Sequence, residues 1–205
     1  MLDALDLPTV ALVRLSAAIA AAGEAEVRAA LASAAAASVP VLWVDELLLQ
    51  SFLFCGFPRA LNAARQWRRI APVVSPGENA ADPSRAADWL ARGEATCAAV
   101  YGPMYEKLRA NVFELHPALD GMMVMDGYGK VLGRPGLDLP RRELCIVAAC
   151  AATGQDRQLH SHLHGALNVG VPVAVLISAL DALTPTLGPE RARSVRLLLD
   201  RVVGK

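Results

Sequence analysis

Two stretches of this 205-residue chain align with each other without a gap. Asp6-Leu7-Pro8 returns 132 positions later as Asp138-Leu139-Pro140. The same offset pairs Leu12 with Leu144, Leu31 with Leu163, and Val39-Pro40-Val41 with Val171-Pro172-Val173. It continues through Leu48 and Leu180, Gly56 and Gly188, Arg59-Ala60 and Arg191-Ala192, and Arg69 and Arg201. Because Gly, Pro and Asp positions coincide, shared alanine richness does not account for the match. Self-similarity of this kind constrains the fold before any other feature does. The chain reads as two copies of one unit, near 6–70 and 138–202, joined by an unrelated middle. The expected organisation is a degenerate first repeat acting as scaffold (1–70), a linker with middle helices (71–137), and a second repeat carrying the candidate site (138–205), together one compact unit.

Each copy reads as a string of helices. Asp138 is placed to cap a helix whose first turn tolerates Pro140, and apolar positions recur at 144, 147, 148 and 151. Gly154 stops that helix. A second helix is predicted from Gln155 to Val169, a third from Pro172 to about Leu183, and a last one from the Gly188-Pro189-Glu190 break to about Val203. The first copy repeats the plan, with breaks at Gly23, Ser38-Val39-Pro40 and Cys55-Gly56-Phe57-Pro58. In the middle, a loop from Pro72 to Asp82 precedes helices predicted at 82–92, 95–115 and 117–131, and Gly133-Arg134-Pro135-Gly136 is a turn. No alternating strand pattern of useful length is present. Apolar residues make up 54 % of the chain but aromatics only 5 %, much of the balance being alanine, which suits closely packed helices. The expected fold class is all-α.

Composition narrows the functional classes. The net charge is zero and no basic run is present, so no nucleic-acid partner is expected. The apolar stretches at 9–22 and 144–153 contain Arg14 or end too soon to span a bilayer, and the acidic start is unlike a signal peptide. No membrane partner and a cytoplasmic location are therefore expected. Cys55, Cys97, Cys145 and Cys150 show neither CxxC nor framework spacing and are expected to be reduced and buried.

Projected at 100° per residue, Gln155, Gln158, Leu159, His162, Leu163, Ala166 and Val169 share one mainly apolar face. His160 and His164 fall on the other side, at the i, i+4 spacing that can chelate a metal. With no third ligand in the sequence, a solvated face is preferred and no metal is expected. A histidine on an apolar stripe is either a hydrogen-bonded core residue or a site residue. Glu143 shares a face with Ile146, Val147 and Cys150, where a carboxylate calls for a partner. It is also near enough to its helix start for the dipole to favour it there. Antiparallel packing of the two helices would bring Glu143 and His162 together as a proton-transfer pair. The offset of 132 places Ala11 and Ala30 at these positions in the first copy. A residue needed only for the fold would be needed in both copies, which favours a functional role for Glu143 and His162.

At these residues the sequence resembles a known family. Arg134-Pro135-Gly136-Leu137-Asp138, Arg142-Glu143-Leu144 and His162-Leu163-His164-Gly165-Ala166-Leu167-Asn168-Val169-Gly170-Val171 are similar to the carboxymuconolactone decarboxylase pattern, over about 100–183. Val44 to Gln50 and Gly56 to Ala63 resemble the later part of the same unit. The resemblance implies a helical bundle of the alkylhydroperoxidase D-like type, built here from two pseudo-repeats, and a homo-oligomer, a trimer or another pseudo-hexameric assembly. It further implies a cofactor-free carboxy-lyase acting on a small carboxylate or lactone, with His162 as proton carrier and Glu143 as its partner. Arg134 and Arg142 would contact carboxylate or oxyanion, though Arg142 equally reads as a surface helix residue. Gln155 and Gln158 would hydrogen-bond substrate. In the peroxidase branch of the superfamily, E-x(11)-C-x-x-C-x-x-x-H, the cysteines fall on Gln155 and Gln158, which supply no redox couple. A thiol peroxidase is thus disfavoured, and a non-catalytic helical oligomer or small-molecule binding protein is the stronger alternative. The aromatic and methionine residues of the middle segment, Tyr101, Tyr105, Phe113, Met122, Met123, Met125 and Tyr128, are expected mostly in the core, the methionines also suiting a subunit interface.

Overall fold

Asp6 and Asp138 perform the same task in the two matching segments. In the computed structural model, which describes residues 4–72 and 78–204, each aspartate stays extended and its carboxylate accepts a backbone N–H three residues on, from Thr9 at 2.7 Å and from Arg141 at 2.9 Å. The helices they open are α1 (Leu7–Ala21) and α7 (Leu139–Thr153). These are followed by α2 (Glu24–Ala36) and α8 (Asp156–Asn168), then by α3 (Val41–Trp67) and α9 (Val173–Val202). Both limits of the first two pairs, and the starts of the third, coincide at the offset of 132 residues.

The long helices α3 and α9 share a kink. Gly56 has φ 78° and ψ 162°, Gly188 φ 74° and ψ 165°, a region only glycine occupies freely. Beyond each kink an arginine turns back to the first helix of its segment. Arg59 Nε donates to the Ile19 carbonyl at 2.6 Å and Arg191 Nε to the Ala151 carbonyl at 2.9 Å, again counterparts at 132. The sequence reading ended a helix near Leu183; instead α9 runs through Pro185 and bends only at Gly188.

Between the segments lie α4 (Ala86–Tyr101), α5 (Tyr105–Leu115), α6 (Pro117–Met122) and a π-helical stretch, Met123–Leu132. Helices predicted at 82–92 and 95–115 are differently divided. There is no break near 93; the chain turns at Gly102-Pro103, where Gly102 takes φ 51°. Gly93 is instead needed for packing. A Cβ there would lie 2.1 Å from the Val124 carbonyl oxygen, and one at Gly129 2.1 Å from that of Trp89. Backbone thus meets backbone between α4 and the π-helical stretch, which replaces the expected continuous helix 117–131. Of the Pro72–Asp82 loop, residues 73–77 lie outside the described residues, as do residues 1–3 of the acidic start.

No strand occurs among the described residues, and the fold is all-α. The two cores meet across α1 and α7. Leu12, Leu15 and Ile19 face the first-segment core with Leu31, Val44, Leu47 and Trp67. Val13 and Ala17 face the other, with Cys97, Val100, Leu144, Val147, Leu163 and Leu176. Every residue of α7 from Arg142 to Ala151 is buried. Ser16 Oγ donates to the Cys145 carbonyl at 2.7 Å between the two central helices. By length and composition α3 could cross a bilayer, a stretch the sequence reading passed over. In this fold it turns Glu46 and Gln50 into the protein, where both are buried.

Candidate functional site

Glu143 comes one turn into α7 and has no exposed surface, so the helix-dipole reading, which suits a solvated first-turn carboxylate, does not describe its position. It faces α8. His162, 5 % exposed, places Nδ1 at 2.8 Å from Glu143 Oε2. With a carboxylate as acceptor, Nδ1 carries the proton and Nε2 is the basic nitrogen. Nε2 has no hydrogen-bond partner among the described residues.

The close approach depends on Gly165. A Cβ there would stand 2.6 Å from Glu143 Oε2 and 2.7 Å from Val100 Cγ1. In the first segment the counterpart of Gly165 is Ser33, opposite Ala11 rather than a glutamate, and the glycine is not required. Ala11, Ala30, Ser33 and Thr186 together line a cleft of about 560 Å³. Thr186 is the counterpart of Phe54, whose ring meets His162 edge-on at 5.7 Å between centroids. Each third helix thus also reaches the first helix of the other segment. On one side a Glu, a His and a Phe occupy the space; on the other, small side chains leave it open.

Middle elements complete the wall around His162. The Tyr101 ring lies 6.3 Å from the imidazole and meets Tyr128 edge-on at 6.1 Å. Tyr128 comes from the π-helical stretch, and Asn168 at the end of α8 ties to α4 through Val100, donating to its carbonyl at 2.8 Å. Burial, reinforced by the nearby Glu143 charge, pushes the Cys97 and Cys150 thiols and the Tyr101 phenol up to about 12, and Tyr128 well above its usual value. These four groups are neutral at physiological pH. Cys145 is also shifted up by burial and packs in the other core, so Cys145 and Cys150 do not form a pair.

The second Glu143 oxygen is conspicuous by contrast with the first. Oε1 is buried and has no hydrogen-bond partner. A buried carboxylate oxygen ordinarily finds a donor, because leaving it unpaired costs the full desolvation of the group.

The other expected site residues lie apart from this pair. Arg142, adjacent to Glu143 on α7, points about 100° away around the helix. It is fully buried, contrary to the surface reading, and its Nη2 meets Glu46 Oε2 at 2.7 Å while Nη1 meets Gln50 Oε1 at 3.2 Å. Its guanidinium also donates to the carbonyls of Leu137 and Arg134. Arg134 reaches the same Glu46 at 3.2 Å and Glu78 at 3.6 Å. Both arginines are therefore committed to Glu46, a residue the sequence reading did not single out. Gln155 and Gln158 are exposed at the start of α8, not turned inward with His162. That helix rotates so that only Leu159, His162, Leu163, Gly165 and Ala166 are buried. His160 and His164 are exposed and face each other edge-on at 4.9 Å. No group of three or more metal-ligating side chains gathers among the described residues.

Of the middle-segment residues expected in the core, Tyr128 is there, whereas Phe113 and Met122 are exposed. Phe54 escaped the sequence reading because its approach to His162 is a contact between segments. Its one available signal was the Phe54–Thr186 difference at the offset of 132.

A known family and a known protein are similar to parts of the chain. Residues 121–201, from the end of α6 through the bent part of α9, match the model of the carboxymuconolactone decarboxylase family. The chain is 30 % identical over 135 residues to "Peroxisomal protein 2" of Schizosaccharomyces pombe, a match covering 65 % of this chain. It spans 63 % of that relative, less than two thirds of its length. The segment that holds Glu143 and His162 is thus similar to the carboxymuconolactone decarboxylase family.

Proposed function

We propose that the chain is a cofactor-free, decarboxylase-like enzyme that moves a proton on a small carboxylate or lactone substrate through the Glu143–His162 pair. The observation that carries this reading is the buried 2.8 Å contact from Nδ1 to Oε2. It fixes the tautomer, turns Nε2 toward substrate as the exchanging nitrogen, and stabilises the imidazolium that forms when Nε2 takes a proton. In a decarboxylation, the carbon–carbon bond to the carboxylate breaks, CO₂ leaves, and its electron pair enters the enolate of the lactone. Imidazolium Nε2–H then returns a proton to carbon. On a lactone without that carboxylate, the same nitrogen removes and replaces the proton beside the carbonyl. In this reading Arg134 and Arg142 brace the scaffold through Glu46 rather than grip substrate.

The test measures deuterium exchange beside the carbonyl of small lactones, and CO₂ release from their carboxylated analogues, in wild type and His162→Ala. The wild-type rate should exceed that of the variant by about 10²-fold or more. Equal rates would remove the pair from the chemistry.

A second reading, a helical small-molecule binding protein, draws on a different feature. A cleft of about 1110 Å³ is lined by Leu49, Phe52, Glu46, Arg92, Lys130 and Arg134, and the Glu143–His162 pair is not among its walls. A thiol peroxidase is disfavoured by thiols held protonated at physiological pH. The assembly is proposed to be a homo-oligomer: α5 has no buried residue, and Met104, Phe113, Leu115, Leu119 and Met122 are exposed on or beside it. The matching segments are proposed to be repeats of one unit, 1–70 now scaffold and 138–205 bearing the site, with 71–137 between them. A cytoplasmic location remains part of the proposal, the relative's name pointing to the peroxisome as the compartment to compare with it.

A further inference from the structure

His160 and His164 take no part in the proton chemistry. His162 lies about 200° around α8 from each of them, and its imidazole is buried against Glu143. The chain has four histidines, and three of them fall on this one helix. At the offset of 132, α2 carries Arg28 and Ala32 where α8 carries His160 and His164, so a helix of this length and place does not require the pair. Both side chains are exposed, and their rings stand 4.9 Å apart between centroids, with 70° between the planes. Among the described residues, the histidines whose side chains form hydrogen bonds are His116 and His162, so neither ring of the outer pair is held by a neighbour.

The ring separation is that of a chelate. A metal–nitrogen bond of about 2.1 Å and an imidazole radius of about 1.2 Å set a metal ion about 3.3 Å from each centroid, and bond angles of about 90–110° then put the centroids about 4.7–5.4 Å apart. The observed 4.9 Å falls inside that range. The rings meet edge-on, and a turn about χ2, a broad torsion for histidine, brings one nitrogen of each to a common point with the backbone in place. We propose that His160 and His164 bind one divalent transition-metal ion on the outer face of α8, as its two protein ligands, with water in the remaining positions. Imidazole ligands favour Cu2+, Ni2+ and Zn2+ over Mg2+ and Ca2+, which take oxygen. Asp156 precedes the pair on the same row of α8, but its carboxylate is ion-paired with Arg191 at 2.7 Å, and no third metal-ligating side chain joins the histidines among the described residues. The ion spans one helical turn. It therefore fastens the stretch of α8 that carries His162 on its inner side, and by binding the folded chain it stabilises it.

The experiment titrates the full chain with Cu2+, Zn2+ and Mg2+ at about pH 7.5, where imidazole is neutral, and reads binding by calorimetry. Cu2+ should bind at one equivalent and more tightly than Zn2+, and Mg2+ should not bind. His160→Ala and His164→Ala should each weaken Cu2+ binding about 10²-fold, because the second ligand of a chelate acts at high effective concentration. Both changes place alanine on an exposed helix face and preserve the fold. His116→Ala removes an exposed histidine outside the pair and should leave Cu2+ affinity within about twofold. Zn2+ should raise the Tm of the wild type and leave that of His160→Ala unchanged. Absence of saturable Cu2+ binding, equal affinity in wild type and His160→Ala, or an equal loss in His116→Ala would each overturn the proposal.

Discussion

Removing Glu46 tests whether the Arg134–Arg142 cluster is scaffold. Arg142 has no exposed surface and Glu46 only 5 %, and the pair is 2.7 Å apart. At an effective dielectric of about 20, charges about 2.7 Å apart attract by roughly 6 kcal/mol, much of it offset by the cost of desolvating both ions. Glu46→Ala leaves the guanidinium buried without its counter-charge, a change that typically costs about 3–5 kcal/mol. Gln50 and the carbonyls of Leu137 and Arg134 still receive Arg142 hydrogen bonds, which places the expected loss near the lower end, about 3 kcal/mol. For a domain of this size that is a fall in Tm of about 6–12 °C. Urea unfolding monitored by far-ultraviolet circular dichroism reads it directly. The double variant Glu46→Leu/Arg142→Met removes both charges and should recover at least about 2 kcal/mol relative to Glu46→Ala. A loss below about 1 kcal/mol in Glu46→Ala would refute the reasoning, because Arg142 would then have water rather than Glu46 as its partner.

Two further outcomes follow from the fold. Gly56→Ala and Gly188→Ala should each destabilise by about 1–3 kcal/mol from backbone strain alone, since no atom closer than 3.7 Å opposes a Cβ at Gly56 and none within 4 Å at Gly188. A neutral result at either site in urea titration would contradict the shared kink geometry. Thiol labelling of the native protein near pH 8 should modify Cys55 first, slowly because burial raises its thiol as well, and Cys97, Cys145 and Cys150 only on unfolding, since Cys55 alone is not fully buried. Rapid modification of Cys97 or Cys150 would show that the wall around His162 is open.

Much of the helical plan is legible in the residues because it rests on local chemistry. Asp138 caps α7 through atoms three residues away, Gly154 ends it by adopting φ 72°, and Pro172 precedes α9. None of these needs a distant partner. The π-helical stretch was not legible, since Gly93 and Gly129 are glycines for each other's neighbours, two backbones that only the tertiary fold brings together. The aromatic middle segment divided for a similar reason: Tyr128 and Phe113 have comparable apolar character, but only Tyr128 lies on the side that α4 covers.

The candidate site divides along the same line. Sequence alone determined that Glu143 and His162 differ from their counterparts Ala11 and Ala30 while the surrounding Pro, Gly and Leu positions agree. That follows from comparing residues at one offset and needs no coordinates. It could not determine what neighbouring side chains on one helix face. Arg142 and Glu143 are consecutive, yet the 100° step of the helix sends one to Glu46 on α3 and the other to His162 on α8. Only the packing of α3 and α8 against different faces of α7 decided which charge became scaffold and which kept an oxygen free.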